Sequence, residues 1–180
     1  MKYYELYEKY ERSLYFFYRD KNSIVSFDYC ISKNAEVLEP MIYDVEKIDD
    51  YISKYDYLPV SSGLPLVSKR FRKIFSDVEG AEIEYLNARI ISQNGMINDN
   101  FLCLNILNCF DGLDKEKSVF EVNRYGIFKI KKLFLTSEFM GNNLISRLSE
   151  KKSIIIVSEK FKELCLQNKL KGMEFIEEGY

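Results

Sequence analysis

From Ile83 onward the sequence is a succession of short apolar runs, none long enough for a large helix, separated by polar and glycine-containing punctuation. Residues 82–92 alternate through Ile83, Tyr85 and Ile90, the period of a strand. Asn94-Gly95 marks a turn, and residues 101–107, apolar apart from Asn105, read as a buried strand. Further strands are predicted over 119–122, 127–135, 144–148, 154–157 and 173–176. Helical spacing occurs twice. Ser68 is placed to cap a helix with Phe71, Ile74, Phe75 and Val78 at i, i+3, i+4 and i+7, ended by Gly80. Ser158 is placed to cap a second, with Phe161, Leu164 and Cys165 on its apolar side, stopped near Gly172. Strands outnumber helices and do not alternate with them. The predicted class is α+β, mainly antiparallel sheet with a few short helices, in one domain over residues 1–180.

The first sixty residues are less regular. Residues 14–18 and 24–31 read as strands, the second alternating through Val25, Phe27 and Tyr29. The segment 44–57 sets Asp44, Glu46, Asp49, Asp50 and Asp56 against Lys47 and Lys54, and is predicted as a short helix with Val45, Ile48 and Ile52 on one side. Residues 1–60 hold 8 basic and 12 acidic groups, whereas 61–180 hold 18 and 16, so the acidity sits in the first third. Eleven of the 14 tyrosines also fall there. Tyrosine combines rigid contact area with a polar tip, which suits an interface as well as a half-wet core. Ser61-Ser62-Gly63-Leu64-Pro65 then breaks the chain with residues that favour turns.

Several function classes are disfavoured by what the chain lacks. It has no histidine, which removes His general bases, His-containing triads and His metal ligands. Cys30, Cys103, Cys109 and Cys165 form no CxxC pair and sit among apolar neighbours, as buried reduced thiols would. The net charge of −2 does not favour a nucleic-acid binder. No apolar run approaches the roughly 20 residues that span a bilayer, and the charged start has no signal-peptide core, so a cytoplasmic location is expected.

Two clusters invite a chemical reading. Asp111, Asp114 and Glu116 would suit a divalent cation or a small hydrolase. A calcium loop starting at Asp111, however, would need Gly and Glu where Glu116 and Val122 stand, so the segment reads better as a turn held by Asp114 and Ser118. Lys69-Arg70-Phe71-Arg72-Lys73 could serve a nucleic-acid module, but on a helix only Phe71 need face inward and the cations form a solvated face.

From Pro65 onward the chain resembles the immunity proteins of bacterial polymorphic toxin systems, specifically the immunity family numbered eleven. The likeness runs through Pro65-Leu66-Val67-Ser68-Lys69, Glu84-Tyr85-Leu86 and Phe101-Leu102-Cys103-Leu104-Asn105-Ile106. Its most specific part is residues 109–118, where Asp111, Asp114 and Ser118 follow that family's Asp-x-x-Asp-x-x-x-Ser signature. Residues 144–148, 155–161 and 170–175 continue it to about residue 176, with Ser146 standing where the family usually has Phe before the counterpart of Arg147. The resemblance implies a cytoplasmic antidote that binds a cognate toxin domain, with no cofactor, no metal, no catalytic residue, no membrane and no nucleic acid as partner. Asp111, Asp114, Ser118, Arg147 and Gly172 would then be scaffold. Residues 1–60 carry the pattern only faintly and would form a variable portion in which partner choice resides. The tyrosines and acids there nominate Asp49, Asp50, Tyr51, Tyr55, Asp56 and Tyr57 as toxin contacts.

Overall fold

The computed structural model describes residues 2–19 and 40–179; the strand expected over 24–31 and Cys30 lie outside them. Fourteen strands are described. The first seven are β1 (Tyr3–Glu8), β2 (Phe17–Tyr18), β3 (Met41–Val45), β4 (Tyr57–Leu58), β5 (Leu66–Ser68), β6 (Ile83–Ser92) and β7 (Ile97–Asn98). The others are β8 (Phe101–Ile106), β9 (Cys109–Phe110), β10 (Val119–Val122), β11 (Phe128–Lys132), β12 (Ile145–Leu148), β13 (Lys151–Ser158) and β14 (Met173–Glu177). Two helices accompany them, α1 (Lys69–Ile74) and α2 (Glu159–Gln167).

The strands make two large sheets and a hairpin. One sheet has the order β14-β1-β13-β12-β9, the other β2-β3-β6-β8-β5-β4 with β7 paired to β6, while β10 and β11 pair only with each other. Most pairings are antiparallel, as expected, but β3 runs parallel to β6 and β9 parallel to β12. These parallel pairs join segments far apart in sequence, which local turn signals cannot announce.

At their central strands both large sheets are buried on both faces. Leu102 and Leu104 of β8 face a central core shared with Tyr4, Leu6, Ile155, Val157, the helix residues Phe71 and Phe161, and Phe75 just after α1. The alternate residues Phe101 and Cys103 face a second core with Tyr43, Val45, Ile52 and Tyr55. Likewise Ile155 and Val157 of β13 join the central core, whereas Ile154 and Ile156 pack with Tyr3, Leu113 and Leu148 beneath the other sheet. Two-sided burial explains why β8, apart from Asn105, and the end of β13 are apolar. Five of the tyrosines clustered in the first third, Tyr3, Tyr4, Tyr43, Tyr55 and Tyr57, are therefore core residues.

Local signals are realised where they were strongest. Ser68 and Ser158 each accept the N–H of the residue three positions on, Phe71 and Phe161, and so cap α1 and α2. The expected helix over 44–57 does not form. Its first residues complete β3, whose parallel pairing with β6 places Val45 in the core, and a single 3-10 turn follows at Ile52–Lys54. The strand expected over 14–18 is confined to β2, with Phe16 bridged to Val60. Cys103 and Cys165 are buried thiols, while Cys109 is only half-buried.

A seam joins the sheets where β4 meets the loop between α2 and β14. The N–H groups of Asp56 and Tyr57 both donate to the Lys171 carbonyl, and Lys9 N–H donates to that of Gly172. Gly172 has φ +102°, and a β-carbon there would lie 2.1 Å from the Tyr57 carbonyl oxygen. Gly172→Ala should therefore cost at least about 2 kcal/mol and lower the melting temperature by roughly 4–8 °C, measured by thermal unfolding. An unchanged melting temperature would show that the seam is not closed at this point.

Candidate partner-binding surface

The six residues nominated as contacts divide into two groups. Asp50 is exposed, Asp49 and Tyr51 are half-buried, and Tyr55, Asp56 and Tyr57 are buried. Asp49 accepts the Tyr51 N–H at 2.9 Å and so shapes the turn that opens the 3-10 segment. The Tyr51 hydroxyl donates to Glu11 at 2.7 Å and receives a bond from the Tyr55 hydroxyl at 3.3 Å. Those bonds, that to Tyr55 first, push the Tyr51 hydroxyl above the usual phenol range. Its ring lies 4.2 Å from the Arg12 guanidinium and 5.1 Å from the Lys54 ammonium. Beside it lies an open depression of about 250 Å³ lined by Lys9, Glu11, Tyr51, Lys54, Tyr55, Lys171 and Gly172. The surface around Tyr51 is thus mixed in charge, with lysines interleaved among the acids.

Asp56 and Tyr57 serve the interior. Asp56 is 4% exposed; its carboxylate accepts the Ser68 hydroxyl at 2.7 Å and the Lys171 N–H at 3.0 Å, with Arg70 at 3.7 Å. Tyr57 packs in the central core.

The signature residues are brought together around a turn. Asp114 accepts the N–H groups of Glu116 and Lys117 at 3.1 and 3.2 Å, and the Lys117 ammonium beside it holds its carboxyl below the usual range. Ser118 donates its hydroxyl to the Phe134 carbonyl and accepts the Phe134 N–H, at 3.0 and 2.9 Å. Asp111 is exposed and accepts the Ser149 hydroxyl. Arg147, 1% exposed, donates to the Lys152 carbonyl at 2.7 Å and to the Gly63 carbonyl at 2.5 Å, linking β12 to the loop before β5. The Asp111 and Asp114 carboxylates are thus engaged by hydroxyl and backbone donors, the latter as in a side-chain-bonded turn.

The sequence reading missed comparable residues. Glu82 is buried and accepts the N–H groups of Leu144 and Ile145 at 2.7 and 3.1 Å, while Glu150 accepts those of Leu113 and Gly112 at 3.0 and 3.4 Å. Each bond joins segments at least 37 positions apart, so no local pattern could have revealed it. Among the described residues, no group of three or more Cys, Asp or Glu side chains is placed to hold a metal ion, and no helix is long and apolar enough to cross a membrane. On α1, Phe71 enters the core, Arg72 is bound through two nitrogens by Glu79 at 2.7 and 3.1 Å, and Lys69 and Lys73 stay exposed.

Ser118→Ala removes two partly buried bonds and should cost about 1–2 kcal/mol, seen as a fall of about 3–6 °C in melting temperature. For Asp114 the sign follows from its lowered folded value. Its contribution is present above the unfolded carboxylate value of about 3.9 and is lost as pH falls through the folded one. The difference in melting temperature between wild type and Asp114→Ala should therefore be full at neutral pH and shrink below about pH 4; a difference that grew on acidification would contradict the assignment.

No curated protein matches the chain. A family model does, described as the Immunity protein family (Imm11), and its match spans residues 18–179, thereby taking in much of the stretch before Pro65. The chain belongs to the Imm11 immunity protein family.

Proposed function

We propose that this protein is a cytoplasmic, non-enzymatic antidote that binds a cognate toxin domain of a polymorphic, contact-dependent competition system and blocks it by stoichiometric occupancy. Family membership across residues 18–179 carries this reading. Open depressions and carboxylates committed to backbone donors are compatible with it, since a gripping protein needs a rigid surface more than a reactive cleft. A neutralising complex of this kind should bury on the order of 1,600 Å² or more and reach nanomolar affinity or better.

The turn carrying Asp49, Asp50 and Tyr51 is a proposed contact. Tyr51 is the anchor, held by Glu11 and flanked by Arg12 and Lys54. Asp50 supplies steering charge at the rim, helped by Asp49. Tyr55 supports Tyr51 from below, and Asp56 and Tyr57 act indirectly by fixing the backbone on which the turn sits. Replacing Asp49 and Asp50 by Asn should slow association with a basic toxin and flatten its salt dependence, while Tyr51→Ala should chiefly hasten dissociation, by about tenfold or more for a central anchor. Surface-based kinetics with the toxin domain encoded beside the gene provides the test. Folded variants that bind with wild-type rates would move the interface away from this turn.

A further inference from the structure

The β10–β11 hairpin departs from the rest of the fold in how it treats apolar side chains. Phe120, Phe128 and Ile130 lie on the face packed against the core beneath the five-stranded sheet. At the far end the pattern reverses, leaving Val122 48%, Tyr125 70% and Ile127 62% exposed. Turn residues are ordinarily polar, so three large apolar side chains around one hairpin tip are an unrecovered hydration cost for the isolated chain.

The hairpin is also tied by hydrogen bonds at its tip and its base. At the tip, the Asn123 side chain accepts the N–H groups of Tyr125 and Ile127 at 2.9 and 3.0 Å, and the Asn123 N–H donates to the Ile127 carbonyl at 3.0 Å. Gly126 takes φ +77°, which lets the loop close in so few residues. The Arg124 guanidinium rests 4.6 Å from the Tyr125 ring centre. At the base, Ser118 grips Phe134 in both directions, the Asp114 N–H donates to the Phe134 carbonyl, and Glu178 accepts the Leu135 N–H at 3.1 Å. The Asp111–Ser118 signature thereby fixes where the hairpin leaves the body. Residues 119–132 hold Arg124, Lys129, Lys131 and Lys132 against Glu121, a local net charge of +3 in a chain whose net charge is −2.

We infer that this hairpin is a docking finger whose tip enters a cleft with an acidic rim and an apolar floor on the toxin. The inference rests on the toxin-binding reading above and adds the partner's chemistry at a second surface. A tip already tied by its own hydrogen bonds loses less ordering entropy on contact, and a tyrosine with an arginine stacked on it has the make-up of a central anchor. The cations around it favour an acidic rim and disfavour a basic one.

The test uses the full-length chain and the toxin domain encoded beside its gene, with rates measured over a series of salt concentrations. One variant carries Tyr125→Ala and Ile127→Ser, another Arg124→Glu and Lys129→Glu; these side chains are peripheral to the core, and thermal unfolding verifies that both variants remain folded. The tip variant should weaken binding by about tenfold or more, through dissociation. The charge variant should slow association, with salt now relieving repulsion instead of screening attraction. Wild-type rates in both folded variants would overturn the finger, and if Asp49→Asn with Asp50→Asn then weakens binding, the toxin-binding reading stands without it. Absence of any binding by the wild-type chain would overturn both.

Discussion

The fold depends on a buried carboxylate at its seam. Removing a carboxylate from water costs several kcal/mol unless its oxygens find donors, and Asp56 meets that requirement with the Ser68 hydroxyl, the Lys171 N–H and nearby Arg70. Those donors belong to two separate segments: the junction of β5 and α1, and the loop after α2. Asp56 and Tyr57 add their own N–H groups to the Lys171 carbonyl, and the next residue, Gly172, comes within reach only because it lacks a β-carbon. The chain's first strand is held to the same place through Lys9 and Gly172. A second link, Arg147 to the Gly63 carbonyl, ties β12 to the approach of β5. The two sheets are thereby tied together at more than one point.

Legibility in the sequence followed the range of the interaction. The caps at Ser68 and Ser158, the turn at Gly95 and the runs of β8 and β13 are determined by neighbours a few residues away, and they were readable. β1 was not, because Tyr-Tyr-Glu-Leu-Tyr-Glu mixes charge with aromatic rings and lies between β13 and β14, contributed by the other end of the chain. Residues 44–57 misled for a related reason: a helical reading of Val45, Ile48 and Ile52 competed with a parallel pairing to β6, and the long-range pairing won. Among the candidate contacts, charge and residue type marked Asp56 and Tyr57 as surface, whereas the seam uses both inside. Nothing local distinguishes an aspartate that steers a partner from one that receives backbone donors across the molecule. The Asp114–Ser118 segment was legible as a turn, but its attachment to Phe134, sixteen residues on from Ser118, was not.

A chain from the Imm11 immunity family with this distribution of chemistry suits recognition. Its best-held acids, Asp56, Glu82, Glu150 and Asp114, are engaged by backbone or hydroxyl donors. Outward-facing, by contrast, are the mixed-charge turn around Tyr51 and the cationic, apolar hairpin tip, the two proposed surfaces. Two such surfaces give a means of specificity, because a wrong partner must satisfy both together.

The most direct measurement of the central claim is a titration of the toxin domain's activity with increasing amounts of this protein, at toxin concentrations well above the dissociation constant. Stoichiometric occupancy predicts a linear fall to zero that ends at a fixed molar ratio, with full activity recovered when the complex is separated by denaturation and the toxin refolded. Inactivation by far less than an equivalent of this protein, with the toxin left permanently altered, would instead show a catalytic antidote and contradict the claim.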